Sequence, residues 1–286
     1  MGILFACIAI VSWGIGDFLI QRSTRKFGNL FALFYITAFS SIVLFPFVLK
    51  DLKPIFLSQD GLSILLLASF ALLVASLLNF EALRIGKISV IEPIYAFEVP
   101  VATALAAVFI HERLNPLQYL LLGSILVGVV LVSAKSRQSL RVRLEKGVVV
   151  AMLATMSLGA VNFLFGYGVR ETNPFVINWF TSLLIAIVCG SALVWQSRFG
   201  EMIREVRRSA SLILNVSFFD NLAWVAFAAS MLYIPVGVAT GISESYIVVA
   251  VILGIIFNHE RLKRHQWIGL VLCIVSAVLL ALITDK

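Results

Sequence analysis

Apolar residues run nearly unbroken through ten stretches, at about 2–20, 29–49, 61–83, 88–109, 115–134, 147–169, 174–195, 211–233, 236–257 and 267–284. A helix needs about 20 apolar residues to cross the hydrocarbon core of a bilayer, and each stretch comes near that length. The gaps carry breakers and charges, such as Arg25-Lys26-Phe27-Gly28, Lys50 to Pro54, Arg141 to Lys146 and Arg204 to Arg208. The pattern predicts an all-α integral membrane protein of ten transmembrane helices. At about 20 residues each, the spans take about 200 of the 286 residues, which leaves no room for a separate soluble domain. Residues 2–20 have neither a preceding positive region nor a following A-x-A-like site, so they read as a permanent first span rather than a cleaved leader.

The polar residues that interrupt these stretches reveal a repeat. His111-Glu112-Arg113-Leu114 returns as His259-Glu260-Arg261-Leu262, 148 residues later. At that offset Phe109 faces Phe257, Ala102 faces Ala250, Leu105 faces Leu253, Gln118 faces Gln266 and Leu131 faces Leu279. At an offset of 145, Ala9, Ser12, Gly14, Phe18 and Leu19 face Ala154, Ser157, Gly159, Phe163 and Leu164, with Asp17 opposite Asn162. The chain therefore divides into two five-helix repeats, residues 1–135 and 147–286, joined by a loop at 136–146. An odd number of spans per repeat inserts the second upside down relative to the first, an arrangement associated with alternating-access transporters.

Glu-Arg-Leu after spans 4 and 9 followed by Gln118 or Gln266, Trp13-Gly14 in span 1, and Glu98-Val99-Pro100 leading towards Glu112 together resemble the drug/metabolite transporter superfamily, in its ten-span form with two EamA domains. The resemblance covers the whole chain. It implies a transporter of a small metabolite such as an amino acid, and it leaves the compound open. The chain departs from the pattern where His precedes Glu-Arg-Leu in place of the common Gly, and where the second half lacks a match to Pro100.

Composition sharpens the class. The chain is 61% apolar and 13% charged, against about 45–50% and about 25% in soluble domains. The net charge of +7 does not point to nucleic acid, because the basic residues fall in short gaps where they set topology and meet headgroups. The odd gaps hold 17 Lys and Arg and the remaining gaps and tail hold 5. By the positive-inside rule this puts both termini outside, whereas the family resemblance implies both inside. Cys7, Cys189 and Cys273 lie in apolar runs and read as small hydrophobes. No cofactor or metal is expected, and no P-loop offers ATP as a direct energy source.

An ionisable residue at the bilayer centre costs about 2.5–3.5 kcal/mol on insertion scales, so it is expected to face a wet cavity and to function there. Six acids fall inside spans: Asp17, Glu81, Glu92, Glu98, Asp220 and Glu244; span 6 adds Asn162. No Lys or Arg does. Spans 1, 3, 4, 6, 8 and 9 should then line a cavity, with spans 2, 5, 7 and 10 supporting it. Glu98, Asp220 and Glu244 fall near the midplane. Asp17 either snorkels or faces the cavity, and Glu92 next to Pro93 is equally open. Glu81 is three residues from Arg84, a helix-end ion pair by spacing. Pro93 and Pro100 bracket Tyr95 to Glu98, and Gly237 and Gly241 precede Ser243 to Tyr246. These are broken or flexible segments at matching places, as at transporter sites, although the glycines alone read as packing. Tyr95, Tyr246, Trp13 and Trp224 are candidate aromatic walls for a cation.

These residues predict a secondary transporter working by alternating access around an acidic midplane cavity. It would be driven by protons or a solute gradient, carry an amino acid or amine, sit in the cell membrane and act as a monomer or dimer. A lipid or glycolipid flippase on the same fold is the alternative. A third reading rests on Gly14-Ile15-Gly16-Asp17, the G-x-G-D pattern of intramembrane aspartyl proteases. It lacks the expected Tyr-Asp partner, since Asp220 follows Phe219.

Overall fold

The computed structural model describes residues 1–51, 59–86, 91, 94–133, 146–246, 249 and 263–284. These hold ten helices: α1 (Gly2–Phe27), α2 (Asn29–Val48), α3 (Gln59–Ile85), α4 (Glu98–Phe109), α5 (Pro116–Ser133), α6 (Lys146–Glu171), α7 (Pro174–Trp195), α8 (Phe199–Ser230), α9 (Val236–Ser243) and α10 (Arg264–Thr284). There is no strand among the described residues. Seven helices, α1, α2, α3, α6, α7, α8 and α10, are long and apolar enough to cross a membrane, and α4 and α5 are shorter apolar helices.

Helix ends differ from the apolar runs where polar residues find partners. α1 continues seven residues past the expected end, because Gln21 Nε2 donates to the Leu83 carbonyl (3.2 Å) and Arg25 Nη2 to the Gly86 carbonyl (2.9 Å). It stops at Gly28, whose φ of 85° lies in the left-handed region open to glycine. α8 starts twelve residues before the expected 211 and departs from helical geometry at Ser209 (φ −134°, ψ 28°). Its first turns, Phe199 to Arg208, are amphipathic and too charged to register as an apolar run.

The fourth helix of each repeat is interrupted, and the interruptions coincide. Ala96 and Phe97 form a turn before α4, with Phe97 N–H donating to the Ile94 carbonyl; Glu244 and Ser245 form a turn after α9, with Ser245 N–H donating to the Ile242 carbonyl. The two turns are 148 residues apart, the offset of the repeated tetrapeptide. Span 4 is thus not one helix over 88–109. Pro100 does not kink it either, since it is the third residue of α4, where an N–H has no intrahelical acceptor. The interruption is a turn, and Pro100 sits comfortably just after it. Pro93 lies outside the described residues. The glycines of α9 are packing residues: a Cβ on Gly237 would meet the side chain of Thr103 and one on Gly241 that of Leu122.

The closest pairings all join one repeat to the other: α3 with α6, α1 with α8, α5 with α10 and α2 with α7. The first two exchange under the repeat, and so do α4 with α6 and α9 with α1. The ends of α5 and α10 are held reciprocally. Gln118 and Asn115 cap α5 through a pair of backbone-to-side-chain bonds (2.8 and 2.9 Å), and Gln118 Nε2 reaches Thr284 at the far end of α10. Gln266 accepts from Lys263 N–H (3.0 Å), and its Nε2 reaches the Val132 carbonyl at the far end of α5. The two glutamines matched in sequence are therefore matched capping residues.

Candidate functional site

One cavity in the middle of the bundle gathers the polar residues. On its wall stand Asp17, Glu98, Asp220 and Glu244, with Asn162, Tyr95, Tyr246, Trp13 and Trp224. Its free space is about 80 Å³, room for about five to eight waters at about 10–15 Å³ each. Every sequence-predicted site residue except Glu92, which lies outside the described residues, is on this wall. Among the described residues no Lys or Arg lines it.

Glu98 is 6% exposed at the start of α4, and its Oε2 accepts from Asn162 Nδ2 of α6 at 3.0 Å. Asp17, on α1, accepts a hydrogen bond from the Tyr246 hydroxyl and lies close enough to Asp220 for the two charges to interact. Asp17 therefore does not snorkel. Because α1 runs to Phe27 rather than to 20, Asp17 is ten residues from the helix end, about 15 Å at 1.5 Å per residue. Glu244 is buried in the turn closing α9, its N–H donating to the Thr240 carbonyl. The Tyr95 hydroxyl donates to the Asn79 carbonyl (3.3 Å). Trp13 and Trp224 meet edge to face with centroids 5.4 Å apart, and Phe227 and Phe165 pack behind them.

The expected division into lining and supporting helices holds for α5 and α10, which contribute nothing to this wall, and fails for α2 and α7. Thr37 of α2 and Asn178, Thr181 and Ser182 of α7 line the cavity. Ser76 and Asn79 of α3 and Asn221 of α8 complete its neutral polar surface. The spacing of Asn178, Thr181 and Ser182, three and four residues apart, puts them on one helix face and was the available signal. Glu81 is in the helix-end ion pair its spacing suggested: Arg84 grips both carboxylate oxygens (2.6 and 2.7 Å), and Asn29 Nδ2 donates to it at 2.7 Å. Among the described residues no three His, Cys, Asp or Glu side chains converge as a metal site.

One end of the bundle is tied by the first tetrapeptide. Glu112 accepts from Arg170 Nη2 at the end of α6 (2.9 Å) and from the Val236 N–H that begins α9 (2.8 Å). At the same end Asn173 Nδ2 donates to Asp51 (2.8 Å) while its Oδ1 caps α7. His111 takes φ 53°, a left-handed conformation that explains why glycine suits this position. His259 to Leu262 lie outside the described residues.

Comparison with known proteins agrees with this architecture. A solved crystal structure superposes over 100% of this chain and 99% of its own with a TM-score of 0.72 at 14% identity, a likeness of fold. An uncharacterized protein of Methanocaldococcus jannaschii is 25% identical over 131 residues, which span 95% of that relative but 46% of this chain. It is thus about as long as one repeat. The model of the EamA-like transporter family matches twice, over residues 1–134 and 145–282, once for each set of five helices. With the repeat, the interrupted fourth helices and the doubled match in agreement, the chain belongs to the EamA-like transporter family, whose members carry small molecules across membranes.

Proposed function

We propose that the cavity binds a small cationic or zwitterionic solute, an amino acid or amine, and moves it by alternating access with protons as the coupling ion. The observation carrying this reading is four carboxylates on one cavity wall with no basic residue beside them among the described residues. Removing a charge from water costs several kcal/mol even after relaxation, so such a wall favours an ammonium group or protons as its compensation. Trp13, Trp224, Tyr95 and Tyr246 supply the aromatic faces on which a cation rests. An anionic solute would meet no cationic side chain there among the described residues.

The rocking bodies in this reading are not the sequence repeats 1–135 and 147–286 themselves, since their helices pair across the boundary. They are α3, α4 and α6 on one side and α8, α9 and α1 on the other, two groups that exchange under the repeat. The turns at Ala96-Phe97 and Glu244-Ser245 supply the hinges. The contacts of Glu112 and Asn173 hold one end of the bundle, and those of Gln21, Arg25 and Glu81 hold the other, so each set is a candidate gate in this reading. The cell membrane is the proposed location.

Proteoliposomes loaded with buffer and offered labelled amino acids and amines under an imposed pH gradient test this reading. Uptake that requires the gradient and is lost in Glu98→Gln and Glu244→Gln is the expected result. Translocation of fluorescent lipid without solute uptake would establish the flippase alternative instead. The proximity of Asp17 and Asp220 is the one observation that favours the protease reading, and peptide cleavage lost in Asp17→Asn would overturn transport.

A further inference from the structure

A second concavity lies outside the bundle, between the last turns of α1 and the bend of α8. Arg22 and Lys26, four residues apart on α1, and Arg208 on α8 form its polar rim with Ser209, Ser211 and Asn215; Ile15, Leu19, Leu212 and Phe219 form the rest of its wall. The groove has a volume of about 500 Å³. Lys26 Nζ donates to the Ser209 hydroxyl (2.5 Å), so the rim is held together at the residue where α8 leaves helical geometry. Among the described residues no acid lines the groove and no carboxylate pairs with Arg22, Lys26 or Arg208.

We propose that this groove binds the phosphate of an anionic phospholipid, with an acyl chain running along Leu19, Ile15, Leu212 and Phe219. Three observations agree on the membrane level. Arg22 and Lys26 follow the apolar run of α1. Arg208 and Ser209 precede the apolar run of α8. Residues 199–208 form an amphipathic helix with Phe199, Ile203 and Val206 partly exposed and Met202 buried, the pattern of a segment lying at the headgroup boundary. Basic pockets between transmembrane helices at this depth attract anionic headgroups. The apolar half of the groove distinguishes a lipid from free phosphate: inorganic phosphate satisfies the rim and leaves the wall uncovered. The groove is separate from the central cavity and shares no residue with it.

Thermal unfolding of the full chain in a neutral detergent, with added phosphatidylglycerol, phosphatidylcholine of the same acyl chains, or inorganic phosphate, tests this directly. Phosphatidylglycerol should raise Tm by several degrees, phosphatidylcholine by less than half as much, and phosphate at equal concentration not measurably. In Arg22→Gln/Arg208→Gln the phosphatidylglycerol increment should fall at least twofold. Arg204→Gln/Arg207→Gln, which removes as much charge from the same segment outside the groove, should keep it. If the first double variant does not fold, Leu19→Trp, which fills the apolar wall, should reduce the increment in its place. Equal increments from both lipids, an increment from inorganic phosphate matching that of phosphatidylglycerol, or loss of the increment in the Arg204/Arg207 variant would each overturn the proposal. None of these outcomes depends on solute uptake, so the lipid site and the transport reading stand or fall separately.

Discussion

The Glu98–Asn162 pair and the Asp17–Tyr246 pair are the same contact made twice. Asp17 and Asn162 occupy one repeat position and Glu98 and Tyr246 another, at offsets of 145 and 148. In the first pair the acid is on the fourth helix and its donor is an amide of α6; in the second the acid is on α1 and its donor is the Tyr246 hydroxyl. The fold thus fixes where two polar groups meet, and each half fills that contact with one carboxylate and one neutral donor, in opposite order. The pairs are also unequal in company: Asp17 has Asp220 beside it, whereas the α3 residues on the cavity wall, Leu72, Ser76, Asn79 and Phe80, include no acid.

The largest expected effect comes from removing the acid of the first pair. Glu98→Gln preserves a hydrogen bond to Asn162 but not its charge, and a bond to a charged group is worth about 1.5–3 kcal/mol. Solute affinity should fall roughly 10- to 100-fold at about 1.4 kcal/mol per decade. Radiolabelled uptake beside a melting curve checks this, with Tm nearly unchanged. Next, Asn162→Leu leaves the buried carboxylate without this donor, at about 1–3 kcal/mol of stability. A drop in Tm that Asn162→Gln largely avoids identifies the lost bond as the cause.

Tyr246→Phe should do less, because it removes a neutral donor to Asp17 and leaves every carboxylate of the wall in place, and the Asp17–Asp220 proximity persists. An uptake loss of under about tenfold, smaller than that of Glu98→Gln in the same vesicles, is the expected outcome. Equal losses would show that the two halves are functionally equivalent. The smallest contrast concerns packing at the two helix crossings. A Cβ on Gly159 would stand 2.6 Å from Val101, and one on Gly14 would stand 3.2 Å from Val249, the equivalent valine. Gly159→Ala should cost about 1–2 kcal/mol through overpacking, while Gly14→Ala should be nearly neutral, as about 1 kcal/mol of helix propensity offsets the tighter fit. Denaturation of the two variants in the same detergent measures the difference.

The acids were legible in the sequence because a carboxylate inside an apolar run has few places to go. Glu98, Asp220, Glu244 and Asn162 all proved to face one cavity. Thr37 and Thr181 escaped notice for the opposite reason. Each hydroxyl bonds the carbonyl four residues back, Leu33 and Ile177, so neither burdens a membrane helix whichever way it faces. The contribution of α2 and α7 to the wall was therefore silent in a count of charges. Asp17 stayed open between two readings because hydropathy marks where the lipid ends but not which way a side chain turns, and the hydroxyl that holds it on the cavity wall belongs to Tyr246, far away in sequence. The turns at 96–97 and 244–245 were foreshadowed by Pro100, Gly237 and Gly241, but none of these three makes the break. Pro100 begins a helix, and Gly237 and Gly241 let α9 approach Thr103 and Leu122.

Glu112 belongs to the first repeat, yet both its partners, Arg170 and the Val236 N–H, belong to the second. The first five helices on their own contain neither of these partners. Two copies inserted in opposite directions would meet the need, each lending its glutamate to the other's helix. Fusing two copies into one chain frees each half to specialise, and the exchanged acids of the central cavity are a record of that freedom.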